Sequence, residues 1–211
     1  MFVSGVALPV LPDLLALARA VSALKAGVRL YGDERLDRLL APGSVIGQWA
    51  NAAIGSSAFP VHAILFDKSP GANWSLSWHQ DRTICVVERR EVAGFGPWTV
   101  KRGMLHVEPP FAIIEAMRTI RVHLDPVGLD NAPLLVAPGS HRLGRIRERD
   151  YAEVVARCGT RACLASPGDI WLYATAILHA SEASRVAGQR RVLQVDFAST
   201  QLPGGLAWRG V

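Results

Sequence analysis

The segment NWSLSWHQD, residues 73–81, ends in an imidazole and a carboxylate two positions apart. Read as a strand, it puts Trp74, Leu76 and Trp78 on one face and Ser75, Ser77, His79 and Asp81 on the other. A His and an Asp side by side on one strand face can grip a metal from one side. Two imidazoles and one carboxylate on one face of an octahedron leave the remaining positions open, an arrangement suited to non-haem Fe(II). The pattern therefore asks for a second histidine. His62, His106, His123, His141 and His179 are the other histidines of the chain. His179 closes the largely apolar stretch GDIWLYATAILHAS, which starts at a Gly168-Asp169 turn, so it can reach the same barrel mouth as His79. His141, in PGSHR, reads as a structural turn residue.

VHLD at 122–125 is a second His-x-Asp pair, and spacing alone does not separate the two. The cleaner alternation around His79, with small serines on the ligand face, favours the first pair. Downstream, GQRRVLQVDFAS (188–199) opens a strand with two arginines, the first of them 11 residues after His179. An arginine aimed into a polar barrel mouth is a natural bidentate partner for a carboxylate. A dicarboxylate that chelates iron at one end and needs an anchor at the other fits; 2-oxoglutarate is such a molecule. Alternation leaves the choice between Arg190 and Arg191 open.

These residues need elements to position them. LPDLLALARAVSAL (11–24), GDERLDRLLAPG (32–43) and SVIGQWANAAIG (44–55) read as packing helices, the first with Pro12 in its opening turn. From Phe59 the texture changes to short β-branched and aromatic runs: FPVHAILFDK, WSLSWHQD, MRTIRVHLD, APLLVAP, RACLAS, GDIWLYA and RRVLQVDFAS. One helix interrupts them, at 148–159, closed by Gly159. The expected architecture is mainly β with flanking helices: a jelly-roll, cupin-like barrel with N-terminal helices packed outside. A single domain over 1–211 is expected, with 1–58 as mainly helical support and 59–200 as the barrel core. Half of the 211 residues are hydrophobic and 19% are charged, which excludes a disordered chain. No apolar run reaches the roughly 18 residues of a membrane span, and the apolar start lacks a basic leading segment, so a soluble cytoplasmic protein is expected. Three cysteines in no metal-knuckle spacing read as free thiols. A net charge of +5 permits an anionic partner. Apart from HRLGRIRER at 141–149 the basic residues are scattered, and no basic stretch has interleaved aromatics, which disfavours nucleic acid.

Taken together, WHQD, the DNAPLLVAPGSHRLG stretch (130–144), GDIWLYATAILHAS and RRVLQVDFA resemble, in order and spacing, the phytanoyl-CoA dioxygenase family of Fe(II)- and 2-oxoglutarate-dependent oxygenases. The resemblance runs from about Val61 to Ala198. It implies a double-stranded β-helix and Fe(II) held by His79, Asp81 and His179. It implies Arg190 rather than Arg191 as the anchor of the 2-oxoglutarate cosubstrate, with Ser181 and His62 as further cosubstrate neighbours. The expected reaction consumes O₂, turns 2-oxoglutarate into succinate and hydroxylates a small organic substrate. The family's Asn-Gly-Pro-Leu is Asn-Ala-Pro-Leu here, and Asp81 disfavours the halogenating variants, which put a small residue there. Two other classes stay open on the sequence: a cupin-like metal enzyme that does not use 2-oxoglutarate, and a non-catalytic descendant that binds a small ligand.

Overall fold

The computed structural model describes residues 1–21, 27–55, 57–186 and 188–211. Thirteen strands occur among them: β1 (Phe2–Val3), β2 (Gly27–Leu30), β3 (Phe59–Lys68), β4 (Leu76–His79), β5 (Ile84–Cys85), β6 (Trp98–Lys101), β7 (Met104–Val107), β8 (Arg118–His123), β9 (Leu134–Val136), β10 (Arg161–Cys163), β11 (Ile170–Ala174), β12 (His179–Ser181) and β13 (Arg190–Ala198). Five α-helices accompany them: α1 (Leu11–Ala20), α2 (Glu34–Leu40), α3 (Val45–Ile54), α4 (Phe111–Ala116) and α5 (Tyr151–Cys158).

A six-stranded sheet, in the order β1-β11-β8-β13-β3-β2, faces a four-stranded one, β10-β9-β12-β4; β5, β7 and β6 form a three-stranded flap. This is the double-stranded β-helix, with N-terminal helices outside. The alternation of β13 shows how the layers are made. Leu193, Val195 and Phe197 point outward into a cluster with Leu14, Leu17, Leu36, Leu40 and Ile46 from the three N-terminal helices. Arg190, Val192, Gln194 and Asp196 point the other way, into the barrel. Burying each large outward side chain is worth about 1.5–3 kcal/mol, so this apolar row locks the strand's register and fixes which residues face inward.

The helices form for local reasons. Leu14, Leu17 and Ala18 give α1 a buried stripe, and Pro12 sits in its first turn. The Asp33 side chain caps α2, and the Ser44 hydroxyl accepts a hydrogen bond from the Gly47 amide to cap α3. Gly47 has no alternative here, because a Cβ at that position would lie 2.1 Å from the Ala41 carbonyl oxygen. The last positions of the expected helix 11–24, residues 22–24, lie outside the described residues. Gly159 ends α5 with a positive φ of 73° and donates its amide to the Val155 carbonyl.

Several expectations need revision. The strand expected over 73–81 is only four residues long, and Leu76, on its supposedly apolar side, is 48% exposed. The reason is position: β4 is the edge of its sheet, so one side has no neighbour to pack or pair with. Ahead of β4, the Asn73 amide makes two hydrogen bonds to the Ser184 backbone instead of a ladder contact. The first 30 residues also supply two strands to the large sheet, β1 and β2. The β6–β7 hairpin and α4 carried no clear signal in the sequence. Cys85, Cys158 and Cys163 are free thiols. No helix among the described residues is long and apolar enough to cross a membrane.

Candidate metal centre

β12 lies between β9 and β4, and its first residue, His179, stands in direct register with His79. The two rings are neighbours, with centroids 4.1 Å apart. Asp81 lies two residues past the end of β4 and brings Oδ2 within 3.9 Å of His179 Nε2. One donor atom from each of His79, Asp81 and His179 lies within 4.8 Å of the others. Both imidazoles are held alike. His79 Nδ1 bonds the Ser77 carbonyl at 2.8 Å, and His179 Nδ1 bonds the Ile177 carbonyl at 3.0 Å. A carbonyl only accepts, so Nδ1 carries the proton and Nε2 keeps its lone pair for a metal. Burial is the main influence on His179 and lowers its pKa, with Asp81 opposing; the neutral, ligating form is favoured. The donor set and its geometry fit a divalent iron held from one face.

The motifs around the triad explain its placement. Gln80, between the two ligands, is buried. Its amide donates to the Gly144 and Ala176 carbonyls and accepts from the Ile146 amide. It thereby ties the β4 end to the turn that leads into β12. Ser140 of the PGSH turn accepts a hydrogen bond from the Leu178 amide, and the Ala137 amide donates to the Leu178 carbonyl. The residue before His179 is thus pinned on both backbone groups.

Geometry sets the two arginines and the two His-x-Asp pairs apart. Arg191 faces outward and makes a bidentate pair with Asp125, at 2.8 Å through both Nε and Nη2. That pair engages Asp125, and among the described residues VHLD belongs to no cluster of metal donors. Arg190 faces inward, is 2% exposed, and its Nε has no hydrogen-bond partner among the described residues. Burial, with Arg121 adding, pulls its pKa down to about 9. A buried guanidinium without an acid is a site prepared for an anion. Lys68 lies opposite Arg190 on β3 and donates to Ser181 Oγ at 3.1 Å and to the Glu182 carbonyl. Burial and the neighbouring Arg190 and Arg121 bring its pKa to about 8. Arg121 donates to Gln194 at 3.0 Å and stacks its guanidinium over Phe66.

Ser181 therefore does come to the Arg190 end. His62 does not. It lies six residues before Lys68 on the same inner row, roughly 20 Å away at the rise of a strand. There it pairs with Asp196 at 3.2 Å through Nδ1. Asp196 also accepts from Thr119 at 2.8 Å. A cavity of about 100 Å³ opens beside them, lined by Asp81, Arg29, Lys101, Thr83, His106 and Thr175 among others. The triad thus stands between two basic regions, one reached through Ser181 and the other through Asp81. Lys68, Asp196, Arg29 and Lys101 were not singled out from the sequence as site residues, and Arg121 reads there as an ordinary strand residue able to meet an anionic substrate. For Lys68 and Asp196 the signal was the period-two row itself: His62, Ile64, Phe66, Lys68 on β3 and Arg190, Val192, Gln194, Asp196 on β13.

Comparison with known proteins agrees with this geometry. Curated proteins give no match. Among solved structures, the chain resembles the non-haem α-ketoglutarate-dependent epimerase SnoN from nogalamycin biosynthesis, at 16% identity and a TM-score of 0.65, covering 97% of this chain and 85% of that one. It also resembles iron-bound EctD from S. alaskensis, at 18% identity and a TM-score of 0.65, covering 100% and 79%. HygX from Streptomyces hygroscopicus, with nickel and 2-oxoglutarate bound, matches at 14% identity and a TM-score of 0.63, covering 95% and 82%. At these identities the likeness is one of fold. The family model for phytanoyl-CoA dioxygenase matches residues 33–192, more than half of the sequence, and the chain belongs to that family of non-haem Fe(II)- and 2-oxoglutarate-dependent oxygenases.

Proposed function

We propose that His79, Asp81 and His179 hold the iron of this Fe(II)- and 2-oxoglutarate-dependent oxygenase, and that Arg190 anchors the far carboxylate of the cosubstrate. The observation that carries this is the pairing of the two sites. Three convergent donors with preset tautomers lie one short β12 strand from a buried arginine that makes no ion pair among the described residues and whose Nε has no hydrogen-bond partner there. Ser181 and Lys68 complete the cosubstrate end, with the Lys68 ammonium adding a second positive charge beside Arg190. When bound, iron and 2-oxoglutarate supply the oxidising chemistry: O₂ is consumed, 2-oxoglutarate is decarboxylated to succinate, and one oxygen atom goes to a small organic substrate.

The chain's own residues do the positioning. The Ser77 and Ile177 carbonyls hold both imidazoles with Nε2 turned to the metal. Gln80 and Ser140 hold the two ligand strands at fixed separation. The inner face of the large sheet shields the cosubstrate end from water. We read the outcome as hydroxylation and the substrate as anionic, since Arg29 and Lys101 line the cavity beside Asp81. The molecule works as one oxygenase domain; its free thiols suit a reducing compartment such as the cytoplasm.

The test is anaerobic addition of Fe(II) and then 2-oxoglutarate to metal-free protein, followed by visible absorption. A weak charge-transfer band at one equivalent of each is the expected result. Iron binding without a band would mean that Arg190 serves no 2-oxoglutarate, and absence of iron binding would remove the metal centre.

A further inference from the structure

The cavity beside Asp81 has a chemistry of its own. Arg29 enters it from β2 and Lys101 from the β6–β7 hairpin. Among the described residues neither cation takes part in an ion pair. Arg29 Nε is buried without a hydrogen-bond partner. Among the described residues Lys101 Nζ has only the Thr83 hydroxyl, at 3.0 Å. Burial lowers the pKa of both, and each feels a neighbouring cation: Arg102 beside Arg29, and Arg29 beside Lys101. Two like charges brought together under partial burial cost free energy unless an anion joins them.

The acids nearby are already engaged. Asp81 belongs to the triad. Asp196 is held by His62 on one oxygen and by Thr119 on the other, and Thr119 is within 3.0 Å of Thr175. The missing anion must therefore come from outside the chain.

His62 adds a second demand. In the neutral ring, with Nδ1 donating to the Asp196 carboxylate, Nε2 is left as an acceptor. Nε2 is buried and has no partner among the described residues, while the ring lines the same cavity. A buried acceptor without a donor costs about 1–3 kcal/mol, and a ligand hydroxyl or amino group would remove that cost.

We propose that this cavity is the substrate subsite: Arg29 and Lys101 hold a carboxylate or phosphate group, and His62 Nε2 accepts a hydrogen bond from a hydroxyl or amino group of the same small molecule. The proposal rests on the oxygenase reading above and specifies its substrate class as a small hydroxy or amino acid, or the corresponding phosphate. The placement suits the reaction. Asp81 borders the cavity, so a molecule held there has its carbon chain against the metal centre. The cosubstrate end, with Arg190, Lys68 and Ser181, lies on the other side of the triad. The modest volume favours a short carbon chain over a bulky one. The two basic groups thus divide the work, one for the cosubstrate's anion and one for the substrate's.

The experiment uses the full chain loaded anaerobically with Fe(II) and 2-oxoglutarate. Three matched sets of small molecules are added: hydroxy- and amino-carboxylates, phosphate monoesters such as glycerol phosphate, and the primary amides of the carboxylates. Melting temperature and the position of the visible band are followed together. Acids of one of the first two sets should raise the melting temperature and shift the band saturably, and the amides should do neither. Which set acts decides between carboxylate and phosphate. The doubly substituted Arg29→Gln, Lys101→Gln protein, checked by its retained band, should bind the effective acid at least tenfold more weakly. Should the double variant lose its fold, Lys101→Gln alone, on the exposed hairpin, should show a weakening of at least threefold. His62→Phe should erase the preference for the hydroxylated acid over its deoxy analogue. Amides as effective as acids, no acid effective in either set, or a band-retaining variant that binds like the parent would each overturn the subsite. A parent protein that shows no band fails one step earlier, at the metal centre, and that failure is read before any acid is added.

Discussion

His79 and Asp81 sit at the edge of the small sheet; His123 and Asp125 sit at the end of an inner strand of the large one. Both pairs are His-x-Asp, and the fold uses them in opposite ways. The first pair faces a third ligand across one strand spacing, with each imidazole turned by a backbone carbonyl. In the second pair the two side chains part. Asp125 turns out to close a bidentate bridge with Arg191. His123 turns in, almost fully buried, with both ring nitrogens unpartnered among the described residues. A short motif thus says little until the neighbouring strand is known. What makes a ligand pair is a carbonyl behind each Nδ1 and a third donor in front.

The comparison breaks most sharply at the metal. His179→Ala or Asp81→Ala should abolish stoichiometric Fe(II) binding, whereas His123→Ala should leave the stoichiometry at one; calorimetric or colorimetric iron titration reads both. Iron binding that survives His179→Ala and disappears with His123→Ala would exchange the roles of the two pairs.

The paired arginines extend the same contrast. Arg190→Ala should weaken 2-oxoglutarate binding by roughly a hundredfold, as expected for a lost charge-assisted bidentate contact of about 3 kcal/mol, with Fe(II) affinity changed far less. Arg191→Ala should do the reverse. It removes a half-buried pair and should lower unfolding stability by about 1–3 kcal/mol, read by denaturant melts, while 2-oxoglutarate binding stays within twofold. Equal losses of cosubstrate in both variants would show that the inward and outward faces of β13 are not distinct.

A smaller effect is expected at the turn that holds the triad. Ser140→Ala leaves the buried Leu178 amide without its acceptor and should cost about 1–3 kcal/mol of stability. Iron affinity should fall severalfold, because His179 is the next residue. An unchanged affinity would mean that β12 is held by its sheet partners alone.

Much of this site could be seen in the chain itself. His79, Asp81 and His179 come together as expected: His79 ends β4, Asp81 follows it, and His179 opens β12 rather than closing the apolar stretch before it. The long strands β3 and β13 were visible from their β-branched and aromatic runs. The choice between Arg190 and Arg191 also had a local signal: Leu193, Val195 and Phe197 continue the row of Arg191, and an apolar row must face the helices. The far side of the cavity was not visible. Arg29 and Lys101 are distant in sequence from the triad, and β2 and the β6–β7 hairpin that carry them are short, with little alternation. His62 shows the limit of spacing most plainly. It lies on the correct strand and face, but its partner Asp196 is 134 residues away, and only the β3–β13 register decides which end of the barrel it serves.

The last contrast concerns protons. His123 has its pKa lowered to about 3, chiefly by burial, with Arg121 and Arg190 adding, against 6.5 in the unfolded chain. His106, whose Nδ1 bonds the Met104 carbonyl, is lowered to about 4, again chiefly by burial. In both cases the unfolded state takes up the proton first. Their contribution to stability is therefore complete above pH 6.5 and is lost as pH falls toward 4 for His106 and toward 3 for His123. The metal-free protein should accordingly weaken through this acid range. His123→Leu should flatten the decline, most visibly in its lowest part, where His106 is already charged. Parallel stability curves for the parent and His123→Leu, from urea melts across that range, would mean that His123 finds a way to charge inside the barrel. The inner face of the large sheet would then be wetter than its burial implies, and Arg190 correspondingly less isolated.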